Sequence, residues 1–97
     1  MLNKVQKKYL KGLANTLNPL VTIGKNGLNE NVIASCDEVL TAHELLKVSI
    51  LNTCETPKGE IALDIAAATH SEIVSSLGHK IVFYRANPDK KIIELPR

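Results

Sequence analysis

The sequence contains no tryptophan and only three aromatic residues, Tyr9, Phe83 and Tyr84. No aromatic box of the kind that stacks bases on an RNA-binding sheet can be drawn from them, so stacking is excluded as the main source of affinity for a nucleic acid. Cysteine is scarce as well. Cys36 and Cys54 form no C-x-x-C, and His43, His70 and His79 are scattered, with no second histidine or cysteine three or four residues away. That pattern argues against a metal site, and without an apolar leader it gives no support for a secreted disulfide. Both cysteines read as free thiols, Cys36 on a buried helix face, and the histidines as surface or capping groups. No apolar run approaches the roughly eighteen residues needed to cross a bilayer, so the expected address is the cytoplasm and no membrane partner is expected.

Catalytic patterns are also missing. There is no G-x-S-x-G, no P-loop and no dinucleotide fingerprint. Glu38 with Glu44, and Glu60 with Asp64, are the nearest to paired carboxylates, and both pairs read as residues of solvated helix faces. Neither an enzyme nor a cofactor is therefore expected. A catalyst acting on a phosphorylated small molecule would need an acid/base constellation that is absent.

The last absence is of acid at the N-terminal end. Residues 1–28 hold five lysines and no acid; residues 29–72 hold Lys47 and Lys58 against eight acids; residues 73–97 hold five basic residues against Asp89 and Glu94. The balance runs +5, −6 and +3 around a net charge of +2. Such asymmetry points to one polyanion-facing surface. Length and a hydrophobic content of 44% suit one domain over residues 1–97 with its own core.

Leu2, Val5, Tyr9, Leu10, Leu13 and Leu17 predict a helix over residues 2–17, with Lys4, Lys7, Lys8 and Lys11 sharing the opposite arc. A charge run is ordinarily a solvated face, but four lysines with no interleaved acid repel one another, and an anionic partner would relieve that. Asn18-Pro19 ends the helix. Leu20–Ile23 reads as a short strand, apolar enough to be buried on both faces.

Gly24-Lys25-Asn26-Gly27 then leads to Asn29, a candidate N-cap. Two glycines let the backbone approach a partner closely, and a helix start presents unpaired amides and a positive dipole end, both suited to phosphate. Lys25 adds a charge, and Asn26 is able to donate or to adopt a left-handed conformation. The competing reading is a tight connector whose glycines serve only the turn.

A helix to about Ala42, a strand over Leu45–Leu51, and a helix capped by Thr56 with Pro57 in its first turn follow. Two strands flank a hairpin at Gly78-His79, and Ile92–Leu95 reads as a weak edge strand or an ordered tail. The expected fold is α/β two-layer, in the order α-β-α-β-α-β-β, with the first two strands parallel.

Four segments carry a family resemblance: Leu10-Lys11-Gly12-Leu13-Ala14, Val21 to Leu28, Ala42-His43-Glu44-Leu45-Leu46-Lys47-Val48, and Leu77 to Arg85. In this order they resemble the CRM domain (chloroplast RNA splicing and ribosome maturation), within it the free-standing bacterial YhbY-like proteins. The resemblance implies a mixed four-stranded sheet like that of the C-terminal domain of translation initiation factor three, with an extra N-terminal helix. It also implies RNA binding through the glycine loop and adjoining basic surface, and association with precursors of the large (50S) ribosomal subunit. Family members often carry glycine near His70, and arginine near Lys11. The expected contacts are Gly24, Lys25, Asn26, Gly27, Leu28, Lys4, Lys7, Lys8 and Lys11, flanked by Lys80 and Arg85, in a monomer binding ribosomal RNA. The alternative is a protein-interaction module using the acidic face of residues 29–72.

Overall fold

The computed structural model describes residues 2–89 and 91–96. Three helices, α1 (Lys4–Asn15), α2 (Glu30–His43) and α3 (Lys58–Thr69), alternate with strands β1 (Val21–Ile23), β2 (Leu45–Ile50), β3 (Glu72–Leu77) and β4 (Lys80–Tyr84). The sheet order is β1-β2-β4-β3, with β1 parallel to β2 and the other pairings antiparallel. Element order and mixed sheet are as expected. Gly78 takes a positive φ of 60° in the two-residue β3–β4 turn, which glycine accommodates without strain.

Side-chain alternation along the strands divides the core in two. Leu46, Val48 and Ile50 of β2 join Ile81, Phe83, Val21 and Ile23 under α2 and α3. On the other face Leu45, Val82, Tyr84 and Val74 meet Leu10 and Ala14 of α1. The extra helix thus covers the sheet face that α2 and α3 leave open, but only at the end where β2 begins and β4 finishes. Burial pushes the Cys36 thiol up to about 11, so it stays protonated and unreactive.

Helix α1 starts later than the apolar spacing predicts because Asn3 caps it. Its side chain accepts from the Gln6 amide while Gln6 reaches back to the Asn3 amide, a capping box. Its buried stripe is also displaced: Leu10 and Ala14 go inside, whereas Val5 and Tyr9 stay 57% and 43% exposed. β1 is an edge strand with Thr22 exposed, so it is buried on one face rather than two. Helix α3 begins one residue later than read, with Pro57 rather than Thr56 in the capping position and no side-chain cap.

His70 ends α3 in the left-handed region, φ 56°. A β-carbon in that conformation crowds the following carbonyl, a cost of about 1 kcal/mol. His70→Gly should therefore raise the unfolding free energy by roughly 1 kcal/mol in a urea titration. An unchanged midpoint would mean that the imidazole offsets the strain.

Glu44, read from its spacing as a solvated-face residue, is instead fully buried, with φ 63° at the end of α2. Its carboxylate accepts from the amides of Asn87, Ile92 and Ile93 at 2.5–2.7 Å, while its carbonyl accepts from the Arg85 amide. Residues 92–95 are accordingly an ordered tail and not a strand. Burial by itself would raise the pKa of Glu44. The three amides and the nearby Lys91 ammonium outweigh it and hold the group below the ordinary carboxylate value.

Candidate nucleic-acid interface

The glycine corner follows β1. The Gly27 amide donates to the Gly24 carbonyl at 3.0 Å, closing a four-residue turn with Lys25 and Asn26 at its exposed tip. Gly27 takes φ +64°; Asn26 is not left-handed, since Glu44 and His70 are the described non-glycine residues with positive φ. The corner is therefore not a bare row of amides, because one of them already closes the turn. The two glycines also differ in kind. A β-carbon on Gly27 would be strained and would lie 3.3 Å from the Thr56 hydroxyl, whereas one on Gly24 would make ordinary contact with Leu51 at 3.4 Å.

Leu28 packs into the core and delivers Asn29, whose side chain accepts from the Val32 amide at 2.9 Å. The amides of Glu30 and Asn31 keep no protein acceptor among the described residues, so the positive end of α2 faces outward beside Lys25. Glu30 sits in the same turn and opposes that attraction in part.

Lys4, Lys7, Lys8 and Lys11 line a trough with Gly12, Asn15 and Val74 of β3. The other flank of α1 is occupied by the C-terminal segment: Gln6 donates to the Pro96 carbonyl, and Leu13 shares a depression with Ile93. The lysine flank is consequently turned toward the half of the sheet that α1 leaves uncovered. Across that half runs a cross-strand row in register, Thr22, Ser49, Lys80 and Leu77, the last 80% exposed. This row was not legible in the sequence, because it depends on strand order and register.

Lys80 falls at the glycine-corner end of the sheet, since Ser49 pairs with Lys80 and the Ile50 amide donates to the His79 carbonyl. It points to the face carrying α1, which places it between the corner and the lysine trough. Arg85 does not join them. It lies beyond the opposite end of β4, where its guanidinium pairs with Asp37 at 2.5 Å and donates to Thr41 and to the Thr69 carbonyl. These bonds tie β4 to α2 and α3, so Arg85 leaves the proposed contact set. Half-buried Lys47 is likewise engaged within the fold, its ammonium donating to the Ala14 and Leu17 carbonyls at the end of α1. No lysine of the corner or the trough makes an ion pair among the described residues. No group of three or more described His, Cys, Asp or Glu residues is placed to hold a metal ion. No described helix is long and apolar enough to cross a membrane.

Fold and surface together define a small mixed α/β domain with one cationic side. Comparison with known proteins is specific about which: the chain belongs to the CRS1 / YhbY (CRM) domain family, whose pattern matches residues 2–85. It is 40% identical over 96 residues to the "probable RNA-binding protein YqeI" of Bacillus subtilis, covering 99% of this chain and 100% of that one. It is 42% identical to an RNA-binding protein of Haemophilus influenzae, covering 99% and 96%. Among solved structures, the hypothetical protein SAV1595 from Staphylococcus aureus superimposes with a TM-score of 0.81 at 44% identity, covering 99% of this chain and all of that one.

Proposed function

We propose that this protein binds RNA through its sugar-phosphate backbone and, acting without catalysis or cofactor, assists assembly of the large (50S) ribosomal subunit in the cytoplasm. The supporting observation is the cluster of lysines lacking protein partners. Lys25 stands on the turn before the open amides of α2, and Lys4, Lys7, Lys8 and Lys11 lie across the uncovered sheet from it, with Lys80 between. Gly24 and Gly27 bring the backbone to the phosphate, Asn26 donates beside it, and Leu28 anchors the loop in the core. The names of relatives agree with RNA binding as such, and the family resemblance supplies the ribosomal role and the ribosomal RNA partner. The protein acts as a monomer on precursor particles.

Affinity should fall steeply with salt. If the five lysines other than Lys80 each displace a counterion from single-stranded RNA, log affinity against log salt should slope at about −3.5. Fluorescence anisotropy of a labelled RNA across a salt series measures it, and a slope near zero would sink the backbone grip.

A second surface supports a separate reading. Leu63 is 66% exposed on α3, beside the acids Glu60 and Asp64, where a basic ribosomal protein would find both apolar area and opposite charge. Capture of such a protein that survives nuclease treatment and is lost in Leu63→Glu would support that contact. Loss of all capture on nuclease treatment would leave RNA as the sole partner.

A further inference from the structure

Two depressions on α1 share the crest formed by Lys8 and Gly12. On one side lies the lysine trough, and on the other a shallow apolar surface made by Val5, Tyr9, Leu13 and Pro96. Tyr9 holds its ring at that surface, 43% exposed, whereas Tyr84 is buried in the core. Gly12 itself has no structural explanation inside the protein. It sits within the helix, where glycine weakens the backbone relative to alanine, its φ is ordinary, and a β-carbon there would meet nothing within 4 Å. With no β-carbon at this point of the crest, the helix backbone is open to close approach from outside.

We propose that Tyr9 and Gly12 form a nucleobase seat: the RNA backbone runs along the lysine trough, and one base crosses the helix crest at Gly12 to stack on the Tyr9 ring. This rests on the RNA-binding reading above and adds to it the one place where a base is held. The occupant follows from charge. An apolar, aromatic shelf whose rim is Lys8 suits a flat, uncharged ring attached to an anion, and the rim ammonium takes the phosphate while the ring takes the base. Every base has a π-face, so the seat is indifferent to sequence but requires a base.

The chain lacks tryptophan, so Tyr9→Trp introduces a single indole at the seat. Its emission should be quenched by a short oligoadenylate and left unchanged by the same ribose-phosphate chain without bases. Tyr9→Ala should weaken binding of labelled oligoadenylate about tenfold with an unaltered salt slope, because stacking displaces no counterions. Tyr9→Phe should stay within about twofold of wild type, since the ring and not the hydroxyl stacks. Gly12→Gln should fold at least as well, glutamine being the better helix former, yet bind about as weakly as Tyr9→Ala. Wild-type affinity in Tyr9→Ala and Gly12→Gln would overturn the seat while leaving the backbone grip in place, and would hand this face to a protein partner. If wild type itself fails to shift the anisotropy of labelled RNA, the underlying reading fails and the seat with it.

Discussion

Replacing Glu44 by alanine should lower the unfolding free energy by about 3 kcal/mol, the largest effect of any single side chain proposed here. Three amides 2.5–2.7 Å from its carboxylate, those of Asn87, Ile92 and Ile93, lose a charged acceptor at once. Two of them belong to the segment that brings Ile93 and Leu95 against the α1 side of the core. Freed of that anchor, the tail should detach, and hydrogen exchange at Ile92 and Ile93 should rise toward unfolded rates. Glu44→Gln should recover part of the loss, because its carboxamide keeps one acceptor oxygen but turns a donor toward one of the amides. The effect has a definite pH dependence. The folded pKa of Glu44 lies below its unfolded value, so its stabilisation is complete above the unfolded pKa, about 4.5, and is lost as pH falls through the folded one. Wild type and Glu44→Gln should thus differ at neutral pH and converge in acid. Urea midpoints measured at both ends decide it, and a loss under 1 kcal/mol at neutral pH would show the tail to be incidental.

The second large effect concerns the glycine corner. Gly24→Asp should weaken RNA binding at least tenfold, placing a carboxylate where the proposed phosphate lies, yet leave the melting temperature within a few degrees. The space exists: a β-carbon there makes only ordinary contact with Leu51, and Gly24 needs no positive φ. Lys25→Glu should act likewise, since Lys25 is exposed and reversal removes one attraction and adds one repulsion. Gly27→Ala should show the converse, losing about 1–2 kcal/mol of stability through its φ of +64° and the Thr56 hydroxyl. Equal stability losses at Gly24 and Gly27 would show the loop to be a connector and nothing more.

Pattern alone carried the element order a long way. Period-two alternation in Leu46, Val48 and Ile50 assigned β2 and its buried face, and Gly78-His79 marked the hairpin, because both signals are local. The α1 stripe departs from its spacing at the exposed Val5 and Tyr9 for a related reason. Helical spacing says which residues share a side, but how far that side is covered depends on the neighbour, and α1 meets the sheet along Leu10 and Ala14. The buried position of Glu44 and the bonding of Arg85 are not legible in local spacing because both are set by partners far along the chain, the 87–93 segment for one and Asp37 and Thr69 for the other.

Local chemistry in the chain by itself determined a lysine-bearing first helix free of acid, a glycine turn leading into a capped helix, and a mixed α/β order, since charge, turn propensity and periodicity act over a few residues. Only the tertiary structure decided that α1 covers half of one sheet face, that Lys80 shares the uncovered half while Arg85 is bound at the far end, and that Glu44 lies in the interior. Those outcomes follow from strand order and register, which are settled by burying both faces of the sheet together.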